Sequence, residues 1–286
     1  MDRFLIVTAD DFGLAESVNE AVEQAARAGT LTAASLMVAA PAAADAVRRA
    51  RALPGLRVGL HLTLADGRAQ LPPAAIPRLV DAAGRFGDRL AYDGWRYFAR
   101  PAVRRELRAE IHAQFAAFAR TGLVLDHVNA HKHLHLHPTV LGMLLEIGAQ
   151  FGNPPVRVPA EPLQCARRAS RGALLGALGL LPWTALMTRR LAAAGVTHND
   201  RVFGITASGA MDETQLLSIL ARLPRGATEI YLHPATCSGE AVGPSMRGYR
   251  HSEELAALLS PRVREAIAAT GAARGGYRDL AAASAA

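Results

Sequence analysis

Seven short apolar runs alternate with helical patterns along this chain, and that alternation limits its fold more than any other feature. The candidate strands are residues 4–8, 34–38, 57–62, 126–129, 156–158, 202–206 and 229–232. The candidate helices are residues 17–28, 42–52, 101–121, 138–151, 171–194, 212–223 and 252–259, with another near 261–270. Strand followed by helix, repeated, builds parallel strands joined by crossover helices. A chain of 286 residues, half of them hydrophobic, can close one such unit around a large core. The expected class is α/β: a single-domain, distorted or incomplete (β/α) TIM-like barrel over residues 1–286, without linker or internal repeat. Residues 66–95, rich in Pro, Gly and Asp, read as a long lid-like loop. Residues 281–286 are expected to fray.

Each cluster of polar residues falls at the C-terminal end of a candidate strand. Asp10 and Asp11 follow the first, His61 ends the third, a histidine run follows the fourth, Arg157 lies on the fifth and His233 ends the last. In a barrel these ends converge on one mouth, where active sites are built.

The run holds His127, His131, His133, His135 and His137, five of the ten histidines of the chain. From His131 the spacing is strict alternation, which on an extended strand puts four rings on one face. Such a face is costly to bury unless the rings have partners, and a divalent metal is a common one. Not all four can bind one ion. One carboxylate, two imidazoles and water make a typical catalytic set with an open position. His131 is the expected second ring, beside His61, with His133 and His135 supporting the ligands or touching substrate. Pro138 starts a helix, so His137 is expected to be structural. Adjacent carboxylates at Asp10 and Asp11 repel, and a metal relieves one while the other stays near the bound water. His233, between an apolar strand and a proline, is a candidate general acid. Zinc suits this donor set best, with magnesium, manganese, cobalt or nickel as alternatives.

Four motifs together resemble the YdjC-type carbohydrate deacetylases, which include chitooligosaccharide deacetylase: TADDFG at 8–13, GLHL at 59–62, HKHLH at 131–135 and LHP at 232–234. The resemblance runs in order over residues 1–277. It implies a distorted barrel and metal-dependent hydrolysis of an N-acetyl group on a sugar. Carried over by position, Asp11, His61 and His131 are metal ligands, Asp10 is the general base and His233 the acid that protonates the leaving amine. Arg157 is expected to pair with Asp10 and keep it ionised. The family often has Asp two residues before the first histidine of its central run; Asn129 stands there here, so metal affinity or pH dependence is expected to differ. Stretches at 71–77, 125–133, 156–162 and 198–204 are similar to the subgroup associated with hopanoid biosynthesis. That similarity implies a glycolipid substrate, an acetylglucosaminyl hopanoid converted to the glucosaminyl form.

Residues 173–187 add an independent hint. They are apolar, contain Trp183 and have arginines on both sides, so a helical hairpin there could enter a bilayer interface or line a lipid tunnel. Packing on the barrel or on a second subunit, as a homodimer, is the alternative. The net charge of +7, mostly arginine, suits solvated faces or an anionic membrane surface, and scarce aromatics argue against nucleic acid. Two cysteines and an opening that runs straight into an apolar strand suggest a cytoplasmic protein, peripheral at most on the inner membrane face. A metal-dependent phosphoesterase and a non-catalytic lipid carrier are the competing readings.

Overall fold

The computed structural model describes residues 2–237 and 242–285. Its centre is β1 (Arg3–Phe12), in which every residue after Arg3 is buried. A strand covered on both faces belongs in the middle of a parallel sheet. Around it lie β2 (Ala33–Leu36), β3 (Arg57–Leu62), β4 (Leu125–Ala130), β5 (Arg201–Phe203), β6 (Gly226–Leu232) and the two-residue β7 (Ala273–Arg274). The sheet order is β4-β3-β2-β1-β6-β5, with β7 paired to the start of β1, and all pairings are parallel.

The seventh expected strand, 156–158, is not a regular strand. Its place is nonetheless taken by extended chain. Arg157 N–H donates to Val128 O of β4, and Val202 N–H of β5 donates to Ala160 O. Residues 156–160 therefore bridge the two edges and close a distorted barrel. Pro154, Pro155, Pro159 and Pro162 explain the irregularity, because each removes a donor that a ladder requires.

The helices α1 (Glu16–Ala28), α2 (Ala43–Arg51), α4 (Pro101–Arg120), α5 (Pro138–Gly148), α8 (Glu213–Leu220), α9 (His251–Leu259) and α10 (Pro261–Ala269) match the expected patterns. Proline at the first turn opens α4, α5 and α10, where the missing N–H costs nothing. Three helices were not expected: α3 (Leu90–Ala99), α6 (Leu163–Ala169) and α11 (Tyr277–Ala285). Thus the long loop ends at Arg89 rather than residue 95. It is also pinned: buried Glu110 accepts the N–H groups of Gln70 and Leu71 at 2.7 and 2.9 Å, and Glu106 that of Arg78 at 2.8 Å. The C-terminal stretch expected to fray is helical to Ala285, because α11 is anchored. Asp126 of β4 accepts the N–H groups of Tyr277 and Arg278, each at 3.0 Å. The expected apolar hairpin is instead one continuous helix, α7 (Arg171–Ala193), with Pro182 inside it.

Candidate metal centre

The two aspartates leave β1 in an irregular way. On a regular strand, neighbouring side chains point to opposite faces. Here the β1–β2 register shifts between Ala9 and Phe12, and Asp11 has a φ of +62°. A bulge of this kind re-aims a side chain. Both carboxylates consequently reach the same ring: Asp10 Oδ1 is 4.0 Å from His61 Nδ1, and Asp11 Oδ1 is 3.3 Å from His61 Nε2. Gly13, at φ +96°, completes the turn, and Asn19 Oδ1 of α1 accepts its N–H at 2.8 Å.

The histidine run is not an extended strand. β4 ends at Ala130 and a tight turn covers His131–Leu136, with Lys132 and His133 at φ +52° and +54°. These left-handed residues fan the rings apart instead of stacking them on one face. His131 Nδ1 lies 3.0 Å from Asp11 Oδ1. His133 Nε2 lies 3.2 Å from the Tyr231 hydroxyl. His135 Nε2–H donates to Arg157 O at 2.9 Å. His137 directly precedes α5 but its side chain makes no capping hydrogen bond. His127 lies inside the barrel wall between Ser35 Oγ (3.0 Å) and Asp126 Oδ2 (2.8 Å).

Asp11, His61 and His131 are all buried and offer ligand atoms within 4.8 Å of one another; among the described residues no other such group of three occurs. The local hydrogen bonds fit a cation there. Asn129 Nδ2 donates to Asp10 Oδ1 (3.2 Å) and Ser35 Oγ (2.9 Å), which leaves its Oδ1 to accept from His61 Nδ1–H at 2.7 Å. The His61 lone pair is therefore on Nε2 and faces a carboxylate oxygen of Asp11. Two acceptors facing each other need a proton or a metal between them. Asp11 Oδ2 is buried and makes no hydrogen bond among the described residues, an unusual state for a carboxylate oxygen. The residues present thus suit one divalent ion. Burial opposes the charged forms, but it is outweighed: His131 and His61 hold Asp11 well below the usual carboxylate range, and Asp10 and Asp11 raise His61.

Asp10 is held from behind. Arg157 grips it through two bonds of 2.6 and 2.9 Å, and the same guanidinium makes two bonds of 2.7 Å to Glu229. All three are buried. Burial pushes the Asp10 carboxyl up, yet the charges of Arg157 and then His61 hold it well below its ordinary value. Glu229 is further bound by Thr8 Oγ1–H and the Tyr277 hydroxyl, each at 2.5 Å. Glu229, Tyr231 and Tyr277 were not singled out from the sequence. A signal was present: Glu229 is a lone charge inside the apolar run of β6, which demands a buried partner.

Across the cavity, His233 Nε2 lies 3.9 Å from Asp11 Oδ2, and its Nδ1 makes no hydrogen bond among the described residues. Asp10, His61, His131, His133, Tyr231 and His233 line a cavity of about 180 Å³. That space admits a reacting group rather than a whole sugar. Burial, then the neighbouring His135 and Arg157, keep His133 well below its usual pKa, and His135 is pushed down to about 3 by burial and Arg157. Both rings are thus neutral and act as hydrogen-bonding groups. At the rim, Lys132 pairs with Asp66 at 2.7 Å, tying the long loop to the histidine turn. A larger cleft, about 620 Å³, lies apart from the carboxylates between α6 and α8.

A barrel with a buried Asp-His-His group at the C-terminal ends of its strands has the frame of a hydrolase and the donors for one divalent ion. Comparison with known proteins agrees in family: the YdjC-like protein family matches residues 4–269, and the chain belongs to it. Carbohydrate deacetylase of Geobacillus stearothermophilus is 30% identical over 284 residues, covering 98% of this chain and 99% of that protein. Chitooligosaccharide deacetylase of Serratia marcescens is 30% identical over 288 residues, covering 98% and 100%. A solved structure from Enterococcus faecalis V583, described as a cellobiose-phosphate cleavage protein, shares the fold with a TM-score of 0.76 at 24% identity, over 98% of this chain and 99% of that one.

Proposed function

We propose that this protein is a metal-dependent hydrolase that removes the N-acetyl group from an N-acetylglucosamine-type sugar carried on a hopanoid glycolipid. One observation carries the reading: Asp10 and Asp11 reach the same imidazole, one held by Arg157 and the other left with a bare buried oxygen. That is a division of labour between base and ligand. A divalent ion held by Asp11, His61 and His131 would polarise the acetamide carbonyl and acidify the attacking water. Asp10 takes the water's proton, and Arg157 keeps it ionised and aimed. His233, whose ring also lines the cavity, protonates the departing amine. Water adds across the C–N bond, so acetate and a free amino sugar leave. His133 and Tyr231, neutral and joined at 3.2 Å, are placed to meet the substrate.

The relatives' names support the amide and the sugar. The four stretches at 71–77, 125–133, 156–162 and 198–204 support the lipid carrier. A soluble chitooligosaccharide is the second reading, favoured by the full-length likeness to the Serratia enzyme. Phosphoester hydrolysis fits less well, because two-metal sites need further carboxylates and the described residues gather a single group of three. The test is acetate release by chelated protein after metal is added back, from an N-acetylglucosaminyl hopanoid and from a chitooligosaccharide. Acetate from the lipid alone supports the proposal. Acetate from the soluble sugar alone moves the substrate to the second reading. No acetate from either, with phosphate released from phosphoesters, sinks the deacetylase reading.

A further inference from the structure

The first half of α7 has no core beneath it. From Arg171 to Trp183 no residue is buried, although Leu174, Leu175, Leu178, Leu180, Leu181 and Trp183 are apolar. Leu175 is 69% exposed. The second half seats on the barrel through Thr184, Met187 and Leu191, and Arg190 donates to Pro138 O at 2.9 Å, at the first turn of α5. A helix that is apolar all round belongs in an apolar medium.

α3 meets the same turn. Gly94 lies against His137, and the Tyr97 ring meets that imidazole edge-on. The outer face of α3 shows Tyr92, Trp95 and Phe98, the last 68% exposed. Arg89 stands over the Tyr92 ring at 4.7 Å and Arg100 over the Trp95 ring at 5.3 Å. Aromatic rings beside arginines suit the headgroup layer of a membrane. The turn that both helices touch follows directly on His131–Leu136, and α7 also packs on that segment, so both helices adjoin the histidine turn of the site.

Charge selects the occupant. Between Glu161 and Asp200 the chain has no acidic residue, but it has Arg167, Arg168, Arg171, Arg189 and Arg190. Symmetric pairing of two α7 helices would set these arginines against their own copies with no acid between. An anionic surface satisfies them. No helix among the described residues is long and apolar enough to cross a membrane, so the helix lies in the interface plane.

We propose that α3 and the first half of α7 form a docking surface for an anionic lipid bilayer, presenting the barrel mouth to the headgroups. This rests on the glycolipid reading for its purpose, but its chemistry stands apart. The test is cosedimentation of the full chain with phosphatidylcholine vesicles, with and without phosphatidylglycerol. Binding is expected only with phosphatidylglycerol and is expected to fall with added salt. Three sets of changes are expected to weaken it: L175S/L178S/L181S, W95S/F98S, and R167E/R168E/R171E. The arginine set should lose about fivefold for each unit of charge changed. Circular dichroism melting and acetate release from an N-acetylglucosaminyl lipid dispersed in detergent should stay unchanged in the leucine set. Absent binding by the parent chain, or equal binding by all three variants, overturns the proposal. So does a dimer in sedimentation velocity that the leucine changes dissociate. Vesicle binding without deacetylation of any substrate would leave the surface standing and remove the glycolipid reading.

Discussion

Two regions of this molecule break the ordinary rule of burial in opposite ways. Beneath the candidate metal centre, Arg157, Asp10 and Glu229 bury full charges. On α7, a run of leucines and a tryptophan stands in the open. Buried charge is tolerated only when every group is paired, and this triad is closed by four bonds from Arg157 plus those from Thr8 and Tyr277. The exposed helix has no such internal compensation. One violation is resolved within the fold and holds the Asp10 carboxylate in place. The other is left for something outside the fold.

The contrast can be broken at several points, taken here from the largest expected effect. Asp10→Asn should retain metal, measured by bound ion after dialysis, and lose about 10²- to 10⁴-fold in turnover. Normal activity of that variant would remove Asp10 as the base. Asp11→Ala should lose the ion itself. Arg157→Met leaves two buried carboxylates unpaired and should cost about 3–5 kcal/mol in denaturant unfolding. A cost near zero would mean that the triad is not closed as described. Asn129→Ala frees the His61 ring and should weaken metal affinity about 10- to 100-fold, read by competition with a chelator.

Asp126 gives a pH test away from the metal. Burial raises its pKa, but the bond from His127 and the N–H groups of Arg278 and Tyr277 outweigh this and lower it. Its folded value lies below its unfolded one. The stability it contributes is present above the unfolded value of 3.8 and is lost as pH falls through the folded value. Asp126→Asn should lower the urea midpoint at neutral pH, at a cost of about 1–3 kcal/mol, and flatten its fall in acid. An unchanged acid slope would show that the α11 anchor draws nothing from this charge. Smallest of all, Leu175→Ser should change stability by under about 0.5 kcal/mol, because the side chain covers no core. A larger loss would mean that α7 packs on the barrel after all.

Much of the site was legible because β/α folds gather strand ends. The ends of the candidate strands bring Asp10, Asp11, His61 and the histidine run together without coordinates, and the family resemblance picks Asp11 among the two aspartates. The pairing of Arg157 with Asp10 could also be expected. Asn129 departs from a family pattern, and it sits between His61 and Asp10. Its nitrogen faces Asp10, where a carboxylate would repel at 3.2 Å. The misreadings have local causes. Alternating histidines suggested a strand because the pattern cannot report that Lys132 and His133 adopt positive φ. The loop ran too far because α3 carries Gly94 and four aromatics, poor helix formers that are held by packing on α4 and α5.

Periodicity and the order of polar residues along the chain determined the α/β class and the mouth of the barrel, and the family resemblance picked Asp11, His61 and His131 as the candidate ligands. Class and mouth are properties that depend on near neighbours and on the direction of each strand. Tertiary structure alone decided the bulge that turns both aspartates toward His61 and the choice of Glu229 as the second partner of Arg157, 72 residues away. It also decided which half of α7 finds a core. A chain can state that a charge needs a partner or an apolar face needs cover, but only packing, which acts between residues far apart in sequence, selects which group supplies it.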